Sequence, residues 1–244
     1  YTYHGTSYKI ELSKQTKTPK PKLKKTNLTN NGDFRSPECT DLLKTADIVV
    51  TNPPFSLFRE FLAQILDHNK QFLIIGSENS ITYKNIFPLI KNNKIWLGNT
   101  RPKTFVQPDG SHKTFGNICW YTNLDTQKRH IPIPLDKTYQ NNETTYPTYD
   151  NYHAIEVSKV KNIPKDYQGV MGVPLTFIAK YNPDQFIIIG YDYDVKCGNL
   201  PHLINTNWTG KLDRAYLANQ RLYSRILIQH KAHSTQSSFN TSQK

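Results

Sequence analysis

The stretch Ala46–Leu62, ADIVVTNPPFSLFREFL, decides how the chain is read. A β-branched run from Asp47 to Thr51 meets Asn52-Pro53-Pro54-Phe55. Apolar residues then recur at Leu57, Phe58, Phe61, Leu62, Ile65 and Leu66 with a helical period. The pattern predicts a buried strand, a rigid corner and an amphipathic helix. Two adjacent prolines fix φ and remove two N–H donors, an arrangement that packing does not require. It leaves the Pro53 carbonyl outward as an acceptor, and Asn52 adds a side-chain carbonyl. Two acceptors on a rigid turn suit an exocyclic NH2 group with two hydrogens to donate. Phe55 offers a face on which a planar base stacks. A plainer reading uses the same residues as a helix start, because Asn is a good N-cap and Pro suits the first turn.

Further along, Gln71–Ser77 (QFLIIGS) predicts a second buried strand, Ile81–Asn93 a short helix interrupted by Pro88, Lys94–Asn99 a third strand and Asn117–Asp125 a fourth. Strand, helix, strand, helix, strand is the order of an α/β layer with a parallel sheet. The last two strands have no helix between them, which predicts a hairpin and an antiparallel strand at or near the sheet edge. Beyond Asp125 the composition turns to Tyr, Asn, Pro and Asp. Short strands are expected at Ala154–Val157, Pro174–Ile178, Gln185–Tyr191 and Tyr223–His230. The expected organisation is a flexible basic segment at 1–30, dense in lysine from Lys9 to Lys25, a catalytic α/β layer at 31–125, a smaller β-rich region at 126–230, and a disordered polar tail at 231–244.

The 244 residues carry 31 Lys+Arg against 19 Asp+Glu, a net charge of +12. Such an excess favours a polyanionic partner, nucleic acid ahead of an anionic membrane. No apolar run is long enough to span a bilayer and no signal peptide opens the chain. Cys39, Cys119 and Cys197 fit neither a disulfide framework nor a zinc motif, so a reducing, cytoplasmic setting is expected. No metal site is expected: His130, His153 and His202 lack ligand spacing, and Asp192 with Asp194 reads as one face of a loop. The chain opens at Tyr1 and its single methionine is Met171, so a fragment or a processed product is expected.

DIVVTNPPF resembles motif IV of the amino-methyltransferases, in the Asn-Pro-Pro-Phe form of the adenine-specific group. Further stretches, among them GDFRSPECTDLLKTADIVVTNPPFSLFREFLAQI, FLIIGSENSITYKNIFPLIKNNKIWLG, YDNYHAIEV and YQGVMGVPLTFIAKYNPDQFIIIG, are similar to adenine-specific modification methylases of the EcoRI type, from about Asn31 to Ile228. The resemblance implies a Rossmann-like sheet, N-terminally incomplete here, that uses S-adenosyl-L-methionine. It implies methyl transfer to N6 of an adenine flipped out of double-stranded DNA in a restriction–modification system. Asn52, Pro53, Pro54 and Phe55 would then grip the base. Asp33 and Phe34 would accept from and pack on the cofactor's adenine, although a simple Gly-Asp turn also explains Asp33. Phe115 or Trp120 is a candidate second wall for the base. The region 126–230 would recognise the target, with Lys128, Arg129, Arg221 and Arg225 as candidate DNA contacts. We expect a monomer. The departure from the family pattern is that no Gly-x-Gly occurs anywhere in the chain, so the glycine loop that holds the methionine part of the cofactor is expected upstream of Tyr1 or lost. The alternatives are an RNA or protein-glutamine methyltransferase, and a DNA-binding remnant without cofactor capacity.

Overall fold

The computed structural model describes residues 8–13, 22–30, 32–107 and 109–231. In chain order its first elements are β1 (Tyr8–Ser13), β2 (Lys22–Asn27), α1 (Pro37–Thr45), β3 (Ile48–Thr51), α2 (Phe58–Asp67), β4 (Gln71–Ser77) and α3 (Phe87–Lys91). Then come β5 (Trp96–Leu97), β6 (Thr104–Val106), β7 (His112–Thr114), β8 (Ile118–Thr122), β9 (Ile155–Glu156) and β10 (Met171–Pro174). The last are β11 (Phe186–Tyr191), α4 (Asp192–Lys196), β12 (Tyr216–Leu217), β13 (Gln220–Arg221) and β14 (Arg225–His230). Two compact units divide the chain. One comprises Tyr1–Ser80 with Pro102–Leu124, the other Ile81–Arg101 with Asp125–Lys244.

In the first unit β3 pairs parallel with β4, Ile48 opposite Gln71 through Thr51 opposite Ile74. The strand after β4 runs the other way: β8 lies antiparallel to it, Leu73 opposite Thr122 and Ser77 opposite Ile118. The antiparallel strand expected from the sequence is therefore present, with β4 as a partner. Asn123 fixes the start of β4, accepting from Phe72 N at 2.9 Å and donating to Lys70 O at 3.0 Å. Helix α2 covers the sheet with Phe58, Leu62 and Ile65. Burying these three side chains is worth about 1.5–3 kcal/mol each. The strand β3 departs from the expectation of full burial. Ile48 is 46% and Val50 64% exposed, because these alternate residues share a face that nothing covers among the described residues.

Helix α1 follows a local logic that the sequence reading passed over. Ser36 caps it by accepting from Cys39 N at 3.2 Å, Pro37 occupies the first turn, and Glu38 and Lys44 match the two ends of the helix dipole. The lysine-dense segment read as flexible contains two strands: β1 and β2 form an antiparallel pair from Tyr8 opposite Asn27 to Ser13 opposite Lys22. The rest of that segment and the tail beyond Lys231 lie outside the described residues.

In the second unit a four-stranded sheet has the order β11-β14-β10-β9. Its pairs are antiparallel except β10 with β9. Tyr149, Tyr152, Val195, Leu203 and Leu227 are buried beside it. The strand expected at Pro174–Ile178 is corrected: Pro174 ends β10, and Leu175–Lys180 is a 3₁₀ turn. Proline has no N–H to continue the ladder, which stops the strand there.

Gly76 is the tightest point of the first unit. A Cβ at that position would lie 2.6 Å from Phe58 Cε2 and 2.9 Å from Tyr121 Cε2, and both rings are essentially buried. We predict that Gly76→Ala destabilises the protein by about 1–3 kcal/mol through overpacking. Urea unfolding checks this as a lowered midpoint at unchanged slope.

Candidate active site

The Asn-Pro-Pro-Phe corner lies at the carboxyl end of β3, the end at which open α/β sheets bind ligands. Asn52 is exposed, Pro53 buried, and Phe55 43% exposed. The helix-start reading does not hold for Asn52. The first helical turn after the corner, Phe55–Leu57, has Pro54 at its cap without a side-chain bond, and α2 is preceded by Leu57. The Pro54 carbonyl is used, accepting from Leu57 N at 2.9 Å. No hydrogen bond reaches the Pro53 carbonyl or the Asn52 side chain from the described residues; Asn52 is exposed, whereas Pro53 is buried.

The corner lines one side of a cavity of about 490 Å³. The opposite side comes from Phe105 and Val106 on β6, Gln107, Phe115 after β7, and Ile118. Phe105 and Phe115 meet edge to face at 5.6 Å, and Lys113 Nζ stands 5.3 Å from the Phe115 ring. Such an edge-to-face pair holds each ring in place and leaves a face available for a planar guest. Of the two expected second-wall residues, Phe115 lines the cavity. Trp120 is half-buried on β8, opposite Ile75. Phe105 was missed, although the turn tripeptide Pro108-Asp109-Gly110 between two short β-type runs signals the hairpin that carries it.

Asp33 and Phe34 sit in the loop before α1. The Asp33 carboxylate accepts from Arg35 three times, from its N at 2.9 Å, Nε at 3.0 Å and Nη2 at 2.7 Å. These bonds hold its pKa down at about 2, so it is an ionised acceptor at neutral pH. Phe34 packs edge-on against Phe61 of α2 at 5.0 Å. Gln64 of α2 ties the loop down, donating to Phe34 O at 3.1 Å and Thr40 Oγ1 at 3.2 Å. The other amide atom of Gln64, Oε1, is buried without a partner among the described residues. A carboxylate acceptor beside an aromatic ring would suit the amino edge and plane of a purine, but here the Arg35 guanidinium binds the carboxylate and stands 5.4 Å from the Phe34 ring centroid.

The candidate DNA contacts are not alike. Lys128 is exposed and donates to Asn99 O at 3.3 Å. Arg129 lies over the Trp96 ring at 3.9 Å. Arg221 is half-exposed and paired with Asp213 at 2.8 Å. Arg225, expected at the DNA surface, serves the interior instead. It grips Glu156 with two bonds of 2.9 and 2.8 Å, both side chains about nine-tenths buried. Among the described residues no group of His, Cys, Asp and Glu is arranged to hold a metal ion, and no helix is long and apolar enough to cross a membrane.

The parallel strand β3 thus ends on the Asn-Pro-Pro-Phe corner, which lines a cavity together with Phe105 and Phe115. The comparisons specify the family. The chain belongs to the family described as adenine-specific methyltransferase EcoRI, whose model matches residues 3–231. It is 51% identical over 180 residues to the type II methyltransferase M.EcoRI of Escherichia coli, covering 66% of this chain and 55% of that protein. It is 40% identical over 233 residues to the type II methyltransferase M.MgeORF184P of Mycoplasma genitalium, covering 85% and 72%. It is 40% identical over 204 residues to the type II methyltransferase M.MpnI of Mycoplasma pneumoniae, covering 76% and 62%. The chain thus spans between about half and three quarters of these relatives. No solved structure matches.

The Asp33–Arg35 clamp makes a measurable demand. We predict that the Asp33 carboxyl titrates near pH 2 and that Arg35→Ala returns it toward the ordinary carboxylate range, both to be read by carboxyl NMR. Because the pKa is lowered in the folded protein, the clamp's contribution to stability is complete above the unfolded carboxyl's pKa and is lost as pH falls toward 2.

Proposed function

We propose that this chain acts in a site-specific DNA adenine N6-methyltransferase of a restriction–modification system, with S-adenosyl-L-methionine as methyl donor. The observation that carries the reading is that Asn52 and Pro53, whose carbonyl oxygens accept no hydrogen bond from the described residues, line one cavity with Phe55, Phe105 and Phe115. A base within a duplex cannot reach such a cavity and is flipped out to enter it. Its exocyclic amine donates one hydrogen to Asn52 Oδ1 and one to Pro53 O, while its ring stacks between the aromatic walls.

Those two bonds do the chemical work. The amine of adenine is a poor nucleophile because its lone pair is spread into the ring. Two acceptors on a rigid turn draw the nitrogen toward tetrahedral geometry and localise that pair. Positioning and fixed dipoles then supply most of the rate. No side chain has to remove a proton before attack, since the nitrogen becomes acidic only once it is alkylated. The cofactor, when bound, supplies an electrophilic methyl group on a sulfonium centre. Asp33 and Phe34 would hold its adenine. No residue of this chain is assigned to its methionine end, for want of a Gly-x-Gly loop.

The layer of β3, β4 and β8 is accordingly proposed as part of a Rossmann-like sheet, and the region 126–230 as the part that reads the target. The net charge of +12 over the whole chain and the size of that region favour double-stranded DNA over RNA or a protein glutamine as acceptor.

We predict that Asn52→Ala lowers methyl transfer at least 10²-fold, the scale of losing one transition-state hydrogen bond. DNA binding stays largely intact. Transfer of labelled methyl groups, with nucleoside digestion to detect N6-methyladenine, measures the first. A gel shift measures the second. Equal loss of both would contradict the assigned role.

A further inference from the structure

A second cavity, of about 550 Å³, lies within the second unit and has no role in the chemistry above. It falls in the size range that takes a small organic group. Four basic side chains line it, Arg101, Lys128, Arg129 and Lys180, and no aspartate or glutamate does. The rest of the lining is largely apolar, with Pro132, Ile133 and Ile178 prominent. A lining that holds cations and no carboxylate, around a largely apolar wall, suits an anion that carries an organic part.

The four cations differ in what they can offer. Arg129 is committed: its guanidinium lies 3.9 Å above the Trp96 ring, Nη2 donates to Asn93 Oδ1 at 2.7 Å, and Nη1 is 3.7 Å from Asp125. Its Nε is buried and has no hydrogen-bond partner among the described residues. Arg129 is therefore engaged by its own partners more than it reaches out to a ligand. Lys128 and Lys180 are exposed at the mouth, on long stems that bring a point charge to a ligand. Lys128 is already directed by its bond to Asn99 O at 3.3 Å.

We propose that this cavity is a nucleotide-phosphate site that holds one segment of a bound DNA strand. Lys128 and Lys180 meet phosphate oxygens at the mouth, and the sugar lies against Pro132 and Ile178. This rests on the DNA reading above. It adds a fixed backbone contact, which sets the position of the strand and carries no sequence information.

The test is the salt dependence of binding to a labelled DNA duplex, read by anisotropy with the full 244-residue chain. Each phosphate contact contributes about 0.9 to the slope of log K against log salt. Lys128→Ala/Lys180→Ala should make the slope shallower by about 2, whereas Lys128→Arg/Lys180→Arg keeps it. A control pair on exposed lysines of the same unit, Lys84→Ala/Lys211→Ala, should keep it too. An unchanged slope in the first pair, or an equal change in the control pair, overturns the proposal. Titration with 2′-deoxyadenosine 5′-monophosphate separates the two sources of the phosphate. If the monophosphate binds and depends on the two lysines while the duplex does not bind, the phosphate site stands, its ligand is a free nucleotide and the DNA reading fails. If neither probe binds, the phosphate site is overturned.

Discussion

The geometry of the first unit depends on one close approach, that of the Phe58 ring to the bare backbone of Gly76. A helix can lie this near a strand only where the strand offers no side chain. Because Phe58 opens α2, its seat on β4 fixes where the helix begins. Because β3 is locked in parallel register with β4, the end of β3 is fixed as well. Only the corner between these two fixed points remains, and Asn52-Pro53-Pro54-Phe55 fills it with residues that have little conformational freedom. Tyr121, on the neighbouring strand β8, completes the arrangement on the same face. Its ring lies 4.9 Å from Phe58 and its hydroxyl donates to Ser77 O at 2.9 Å.

That rigidity explains why prolines stand where a loop would have sufficed. A flexible turn would present the same two carbonyl oxygens, but would lose conformational entropy each time a guest ordered it. With φ fixed at Pro53 and Pro54, most of that cost falls on folding and not on binding. The second proline also assigns the acceptors. Pro54 O closes the turn with Leu57, and Pro53 O, one residue earlier, stays out of the ladder. The acceptor pair thus follows from the covalent geometry of two rings and from the register of one helical turn.

How much of this was legible in the sequence follows from the range of the interactions concerned. The corner, α2 and β4 were readable because their signals are local: two prolines, a helical period, and an unbroken apolar run. Phe115 was nameable only as one aromatic among several, since its place in the cavity depends on a hairpin turning back. Phe105 was not found, because β6 and β7 are only three residues each and β7 is wholly polar. The exposure of Ile48 and Val50 was not readable either. A β-branched run announces a strand but not what covers its faces. The pairing of Arg225 with Glu156 joins positions 69 residues apart, and no local pattern reports such a partner.

That ion pair also changes how the net charge is to be understood. A count of +12 suggests a surface uniformly attractive to polyanions, but the structure spends some cations elsewhere. Arg225 forms a closed set with Glu156, which also accepts from the Tyr149 hydroxyl. Its backbone N–H donates at 2.8 Å to fully buried Asp192, which accepts from Tyr152 as well. Burial pushes the Asp192 pKa up, and these hydrogen bonds oppose it. Gly172 makes room for the set, since a Cβ there would collide with the Tyr149 hydroxyl. A pair so enclosed contributes little field outside, and removing one partner would strand a charge in the interior. The cations relevant to a nucleic acid are those at open positions, such as Lys128 and Lys180. Their number is smaller than the composition implies, and their placement along one cavity mouth matters more than the sum.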